Sequence, residues 1–153
     1  METLYLTRVT ATSGRNGRVV SEDNALNAEV RTPEEMGGTG GVFLNPETLF
    51  AGGFAASFNN ALNAVIRREK VETGKTNTTA GVSVFQNGDG YRFTVLLEVE
   101  IPGVDHAKAE DLIKKAHQVS PYSYATRGNI DVKLVIKEEA LAESDMYLLK
   151  AKP

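Results

Sequence analysis

The sequence of 153 residues contains no cysteine and no tryptophan, and aromatic side chains make up only 7% of it. Without thiols, the chain can form neither disulfide bonds nor cysteine-ligated metal sites. Its two histidines, His106 and His117, stand eleven residues apart and do not make a usual zinc site. We therefore expect neither a metal ion nor a cofactor.

Net charge and long apolar runs are also scarce. The formal net charge of -3 gives no electrostatic reason to expect nucleic acid or an anionic membrane as a partner. The first residues, 1–4, lack the basic start and apolar run of a secretory signal. We also expect no segment that approaches the roughly 20 apolar residues needed to span a bilayer. These absences predict a cytoplasmic location without nucleic-acid or membrane partners.

Length and composition indicate one globular domain over residues 1–153, with a hydrophobic content of 41%. Residues 138–153 read as a charged C-terminal tail that contains Met146 and an apolar stretch at 147–149. We expect this tail to be a docked terminal segment of the same domain.

The first third of the chain predicts short strands joined by glycine turns. We expect a strand over Thr3–Thr12, a turn over Ser13–Arg18, and short strands over Arg18–Val20 and Leu26–Arg31. The loop over Thr32–Leu44 carries four glycines and is long for a simple connection. Its composition favours a role at the edge of a site or at an interface.

A strong helix start follows this loop. Asn45 can cap the helix, Pro46 suits the first helical position, and Glu47 suits the positive end of the helix dipole. The helix should reach about Lys70, and from Leu49 to Ile66 it is apolar or small almost all round. One small sheet cannot cover such a helix on every side. We therefore infer an intertwined homodimer as a hypothesis.

The second half of the chain predicts strands and one further helix. A strand over Val82–Phe85 leads through a hairpin turn at Gln86–Gly90 into a cleanly alternating segment, Tyr91–Ile101, whose odd-numbered residues should face inward. Asp105 should cap a helix that Pro121 ends near residue 120. The apolar stripe of this helix consists of Ala109, Leu112, Ile113 and Ala116. A last strand over 130–136 completes an α+β domain.

Two serines deserve separate consideration as candidate site residues. Ser57 lies in the middle of the long helix, where a serine hydroxyl most often bonds the backbone carbonyl four residues earlier. Its surroundings lack the Gly-x-Ser-x-Gly elbow and an adjacent base, which disfavours a serine hydrolase. Ser120 precedes a proline and reads as an ordinary helix-end hydroxyl. We expect both His106 and His117 to be solvated rather than catalytic.

Arg15 and Glu47 are a second candidate pair. Arg15 lies in a glycine turn and Glu47 opens the long helix, and each charge alone is typical of an exposed structural position. Together they suit a bidentate ion pair. The rise from Glu47 to Ser57 is about 15 Å, so helical spacing alone does not connect this pair with Ser57.

Two longer stretches carry a family resemblance. Asn45–Gly53 and Ala116–Val132 resemble the two signatures of the organic hydroperoxide resistance (Ohr) branch of the OsmC-like family. The second signature is long and specific, and the similarity runs from Leu4 to about Lys137. The order of the predicted elements also agrees with that family.

The resemblance implies a fold of antiparallel sheets wrapped around two central helices in an intertwined homodimer. It also implies a thiol peroxidase that reduces organic and fatty-acid hydroperoxides and is recycled by lipoylated proteins. By position, Ser57 stands at the place of the peroxidatic cysteine and Ser120 at that of the resolving cysteine. Arg15 would be the activating arginine and Glu47 its partner.

The departure from the family falls on the two redox positions. The implied chemistry needs a thiolate that becomes a sulfenic acid, and a second thiol that then closes a disulfide. A serine hydroxyl does not ionise near neutral pH and has no such route. We therefore expect a hydroperoxide-reductase scaffold that is inactive as written. Either deliberate replacement of the cysteines or natural loss of the chemistry would produce this sequence.

Two other interpretations stay open on the sequence. In one, the chain is a non-catalytic binding protein that holds a lipid-like or hydroperoxide ligand in an apolar pocket near Phe50, Phe54 and Phe58. In the other, it is a structural dimer without a ligand.

Overall fold

The computed structural model describes residues 2–138. Within it, the chain divides into two compact units, one up to Ala51 and the other from Gly52 onward. The predicted tail lies almost wholly outside the described residues, because only Glu138 of it is described. The single-domain organisation therefore stays a prediction.

The first unit contains a three-stranded antiparallel sheet. Its strands are β1 (Val9–Thr12), β2 (Gly17–Ser21) and β3 (Asn27–Val30), in that order across the sheet. The two short strands after the turn were predicted correctly. The first strand is shorter than predicted, since residues 3–8 are not in a strand. Alternation along Leu4–Leu6 suits a strand, but only residues from Val9 onward pair with β2.

The turn between β1 and β2 positions Arg15. Ser13 and Gly14 both have positive φ, 60° and 58°, and a 3-10 turn follows over Gly14–Asn16. A Cβ at Gly17 would lie 1.8 Å from the carbonyl oxygen of Thr12, so only glycine fits there. The predicted turn is thus confirmed. The loop that follows β3 contains a second 3-10 turn, over Glu34–Met36.

Helix α1 spans Pro46–Glu69, close to the prediction of a helix from Pro46 to about Lys70. The Thr48 backbone N–H donates to Asn45 Oδ1 at 2.7 Å, which confirms the predicted N-cap. Lys70, directly after the helix, has a φ of 54° and ends the helical path. The buried face of α1 consists of Phe54, Phe58, Ala61, Leu62, Val65 and Ile66.

The expectation that no segment is long and apolar enough to span a bilayer was wrong for α1. Over 24 residues, with a mean hydropathy of 1.2 in its most apolar window, this helix meets the length and composition requirements. The core helix of a globular protein meets the same requirements. Phe54, Phe58 and Leu62 have no exposed surface, so one face of α1 packs as in a core helix, while 33% of its most apolar window is buried overall.

The second unit contains a three-stranded sheet of strands β4 (Asn77–Asn87), β5 (Gly90–Glu100) and β6 (Asp131–Ile136). β4 and β5 form an antiparallel hairpin, and β6 pairs with β5 in parallel. The two-residue turn between Asn87 and Gly90 confirms the predicted hairpin. β4 extends beyond the predicted Val82–Phe85 because it pairs with β5 along its whole length.

The inward face of β5 is confirmed only in part. Val95, Leu97 and Val99 are buried, as is Ile101 just beyond the strand. Tyr91 was predicted to face inward but is 65% exposed. The prediction failed because the hairpin end, residues 86–92, is exposed on both faces, so that alternation there has no core to face.

Helix α2 spans His106–Val119, and a short helix, α3, spans Pro121–Thr126. The Lys108 backbone N–H donates to Asp105 Oδ1 at 2.8 Å, which confirms the predicted cap. The predicted stripe is buried in full: Ala109, Leu112, Ile113 and Ala116. α3 was not predicted, because six residues are too few to show a helical period.

Candidate functional site

In the first unit, Arg15 and Glu47 form a bidentate ion pair. Arg15 Nη1 donates to Glu47 Oε2 at 2.9 Å, and Arg15 Nη2 donates to Glu47 Oε1 at 2.6 Å. The glutamate side chain is only 12% exposed, whereas that of the arginine is 38% exposed. The sequence predicted this pairing, and the structure confirms it.

The ion pair also fixes the charge of the carboxylate. The hydrogen bonds from Arg15 hold the pKa of Glu47 below its ordinary value, although burial acts in the opposite direction. The carboxylate is therefore ionised at neutral pH and holds the guanidinium in one plane. A planar, oriented guanidinium is suited to act on an anion or on an ionising group.

Ser57 lies on α1 in the second unit and is half-buried. The expected hydrogen bond to the backbone carbonyl of Gly53 is absent, and within residues 2–138 the Ser57 hydroxyl makes no hydrogen bond. That expectation was wrong. The hydroxyl is therefore not engaged in stabilising its own helix.

The face of α1 that bears Ser57 packs against Tyr122. A Cβ at Gly53, one turn before Ser57, would lie 2.4 Å from Tyr122 Oη, and the Phe54 and Tyr122 ring centroids are 5.4 Å apart. Small residues at Gly52, Gly53, Ala55 and Ala56 are poor helix formers, and such a run predicts the close approach of another backbone. Instead a side chain approaches Gly53, and nothing lies within 4 Å of a Cβ at Gly52. Sequence reasoning missed Tyr122; the mid-helix Gly53 was the signal for it.

Ser120 stands at the junction of α2 and α3 and has no exposed surface. Its backbone N–H donates to the Ala116 carbonyl oxygen at 2.9 Å and so continues the turn of α2. Its hydroxyl occupies the N-cap position of α3 yet makes no capping hydrogen bond. Within the described residues, Ser120 Oγ is a buried polar atom without a partner.

Among residues 2–138, two further buried atoms near this junction also lack hydrogen-bond partners, namely His117 Nδ1 and Ser123 Oγ. The prediction of solvated histidines holds for His106, whose side chain is 61% exposed. It was wrong for His117, which is half-buried and lies 6.5 Å from the Phe58 ring, centroid to centroid. Helix periodicity did not reveal this burial, because it comes from packing against α1.

The imidazole of His117 is held in its neutral form. Burial lowers its pKa, and the positive charge of Arg127 lowers it further. Arg127 Nη2 donates to the His117 carbonyl oxygen at 3.2 Å, which places the guanidinium at the end of α2. The same burial and the same positive charge disfavour the imidazolium form of His117.

The three phenylalanines that the sequence suggested as pocket residues differ in exposure. Phe54 and Phe58 have no exposed surface and belong to the core of the second unit. Phe50 is half-buried. Over residues 2–138 there is no group of His, Asp and Glu side chains arranged to hold a metal ion.

Comparison with known proteins places this chain in a family. The profile described as OsmC-like protein matches residues 38–135, which is more than half of the chain. This chain belongs to the OsmC-like family. The organic hydroperoxide resistance protein of Xanthomonas axonopodis pv. citri is 48% identical over 134 residues, covering 87% of this chain and 94% of that protein. The corresponding protein OhrA of Bacillus subtilis is 43% identical over 142 residues, 88% of this chain and 97% of that protein.

Comparison with solved structures confirms that this chain has the α+β fold of the Ohr and OsmC proteins. An organic hydroperoxide resistance protein from Elizabethkingia anophelis has a TM-score of 0.87 at 50% identity, covering 91% of this chain and all of its own. A second solved structure is of a putative organic hydroperoxide resistance protein from Vibrio cholerae, with captopril bound in one of its active sites. Its TM-score is 0.83 at 44% identity, and the match covers 89% of this chain and 94% of that protein's chain. The OsmC-like member described here has the Ohr-type fold but lacks cysteine altogether.

Proposed function

We propose that this OsmC-like chain is an organic hydroperoxide reductase scaffold whose redox chemistry is removed at positions 57 and 120. The observation that carries the proposal is the absence of cysteine in a chain 48% identical to a protein named for organic hydroperoxide resistance. The bidentate Arg15–Glu47 pair supports it, because the charged groups that the family resemblance assigns to thiol activation are present.

The chemical reason for inactivity lies in the side-chain oxygen of Ser57. In a thiol peroxidase, the thiolate attacks the O–O bond, sulfur takes up one oxygen as a sulfenic acid, and the alcohol leaves. A second thiol then displaces water and forms a disulfide, which a dithiol reduces. Hydroxyls at Ser57 and Ser120 provide neither an ionised nucleophile at neutral pH nor a disulfide.

The proposal includes partners that the family resemblance implies. They are a second copy of this chain, an organic or fatty-acid hydroperoxide as substrate, and a lipoylated protein as reductant. The proposed location of the protein is the cytoplasm. The homodimer is supported by exposed apolar side chains in the first unit, where Leu4 is 94%, Tyr5 78% and Leu6 74% exposed. Such clusters on one chain are typical of surfaces that a partner covers.

The binding-protein alternative lacks a comparable supporting observation. Its pocket was expected near Phe50, Phe54 and Phe58, but Phe54 and Phe58 are fully buried in the core. A ligand would therefore have to displace core packing to reach two of the three rings.

The test is to restore the thiols. Cumene hydroperoxide consumption with dihydrolipoamide is measured for the native chain and for the S57C, S120C and S57C/S120C variants. We expect sustained turnover in the double variant, none in the native chain, and none in S120C. Without reductant, S57C should consume about one equivalent of peroxide and stop as the sulfenic acid. Turnover by the native chain, or none in the double variant, would contradict the proposal.

The role proposed for Arg15 is tested in the S57C/S120C background. Arg15→Ala should lower kcat/KM by about 100-fold or more, the scale for removing one preorganised charged group, while leaving the circular dichroism spectrum unchanged. Arg18→Ala is the matched control, because Arg18 lies three residues away and bonds the exposed Asn27. Equal activities of the two arginine variants would remove Arg15 from the site.

A further inference from the structure

Two Asn-Gly pairs occur in the sequence, Asn16-Gly17 and Asn87-Gly88. Asparagine is thermolabile, because its side-chain amide can be attacked by the backbone nitrogen of the next residue. Glycine in that next position leaves the nitrogen least crowded, since it has no Cβ. The sequence alone therefore gives the two pairs the same reactivity, and any difference between them must come from the fold.

Asn87-Gly88 lies at the end of the β4–β5 hairpin, where the chain is exposed on both faces. Gly88 opens the two-residue turn with a φ of 60°, and nothing lies within 4 Å of a Cβ built there. Within residues 2–138, neither the Asn87 side chain nor the Gly88 backbone N–H makes a hydrogen bond. The amide and the attacking nitrogen are therefore both accessible.

The strand pairing of the hairpin also ends at this point. Asn87 and Gly90 form the last pair of the β4–β5 ladder, and residues 85–92 are all exposed. Because no core lies beneath it, this end of the hairpin opens at a low free-energy cost. Opening lets the peptide between Asn87 and Gly88 rotate until the Gly88 nitrogen faces the side-chain carbonyl carbon.

Asn16-Gly17 is held in place by its surroundings. Asn16 Oδ1 accepts a hydrogen bond from the Thr32 backbone N–H at 3.1 Å, which fixes the amide. Gly17 pairs with Val30 in the β2–β3 ladder, and a Cβ at Gly17 would lie 1.8 Å from the Thr12 carbonyl oxygen. Rotation of this peptide would break the ladder and the amide contact together. The fold therefore protects one pair and leaves the other open to reaction.

We propose that Asn87 is a site of spontaneous modification, at which the side-chain amide is converted to a carboxylate. The Gly88 backbone nitrogen bonds to Asn87 Cγ, the Cγ–Nδ2 bond breaks, and ammonia leaves with the proton of the Gly88 N–H. Water then opens the cyclic imide at either carbonyl and gives aspartate or isoaspartate. No oxidant or reductant takes part. The product carries one more negative charge, two residues from Asp89.

The test compares the two pairs within the native chain, incubated in mildly alkaline buffer either folded or unfolded in guanidinium chloride. Cleavage after glutamate separates them, since residues 3–22 contain Asn16 as their only asparagine and residues 73–98 contain Asn87. Tandem mass spectrometry then measures conversion at each residue. In the folded chain, conversion of Asn87 should be at least about tenfold faster, because the strand pairing at Gly17 must open before Asn16 can react. In the unfolded chain the two rates should converge.

Asn87→Gln and Asn16→Gln are the matched variants, because the longer side chain forms the corresponding ring far more slowly. By isoelectric focusing, N87Q should develop less of the acidic species than the native chain and N16Q do. Equal rates at the two residues in the folded chain would overturn the inference, as would a folded chain in which Asn87 stays intact. Neither readout involves a thiol or a peroxide, so the outcome is independent of the proposed function.

Discussion

The two ends of helix α2 satisfy their polar groups in opposite ways. At the start, Asp105 caps the Lys108 N–H, and the Lys108 ammonium bonds Glu69 and Asp111. At the end, His117 Nδ1 and Ser120 Oγ are buried and have no hydrogen-bond partner in the part of the chain that the structure describes. One end is built for stability, whereas the other carries groups whose burial is costly in the absence of a reaction or a ligand.

The two ends also differ in what the loss of their polar groups should cost. The charged network at the start joins α2 to α1 through side chains that hydrogen-bond in water equally well, so its loss is tolerable. The junction with α3 keeps polar atoms that an apolar core would accept only at a cost.

The largest expected effect is at the start of α2. Asp105→Ala removes the N-cap, leaves the Lys108 N–H without its acceptor, and should lower the free energy of unfolding by about 1 kcal/mol, at most about 2 kcal/mol. Urea denaturation measures it, with Asp105→Asn as the control that retains the cap. If Asp105→Ala and Asp105→Asn are equally stable, the start of α2 does not depend on its cap.

Next in size is a change of opposite sign at the end of α2. Ser123→Ala removes a fully buried hydroxyl that has no partner among residues 2–138, and it should raise the free energy of unfolding by roughly 0.5–1 kcal/mol. Thr126→Ser is a suitable control, since the Thr126 hydroxyl does bond the Tyr122 carbonyl at 2.9 Å and this bond is retained. If Ser123→Ala is less stable than the native chain, an ordered water hydrogen-bonds the Ser123 hydroxyl. The proposed contrast between the two ends of α2 would then not hold at this residue.

The two histidines should differ in their effect on stability against pH. The pKa of His117 is lowered in the folded chain, so below the ordinary value of about 6.5 the unfolded chain binds the proton more readily. Stability should therefore fall as the pH drops through that value. His117→Gln should flatten this dependence, whereas His106→Gln should retain it. Identical pH profiles of the two variants, measured by urea denaturation, would contradict the assignment.

The smallest effect is expected in the charged network. Hydrogen bonds from Lys108 and Lys115 hold the pKa of Glu69 below its ordinary value, but these groups face solvent. Glu69→Gln should cause a small decrease in Tm that nearly disappears at about 1 M salt, where screening is strong. A large, salt-independent decrease would show that the network contributes to the core.

Much of the local structure was predictable because it depends on near neighbours in the chain. The cap at Asn45, the hairpin turn and the buried stripe of α2 follow from turn chemistry and from helical period. The secondary-structure predictions were wrong where an alternating segment has no core or neighbouring strand to pack against. Tyr91 alternates correctly but lies at an exposed hairpin end, and residues 3–8 alternate without a neighbouring strand.

The candidate site likewise has features that the sequence predicted and features that only the tertiary structure revealed. The residue types at Arg15, Glu47, Ser57 and Ser120 were identifiable from the sequence, and so was the fitness of the first two for an ion pair. The contact of Tyr122 with Gly53 and the burial of His117 were not, because both arise from helices that pack together across more than 50 residues of chain.

The sequence by itself determined which atoms are available, and above all that no sulfur of a thiol is among them. Only the tertiary structure decided which of the remaining polar atoms are left without water. Solvent exclusion depends on packing between distant segments, and His117 at the end of α2 is half-buried beside Phe58 of α1, 59 residues earlier in the chain.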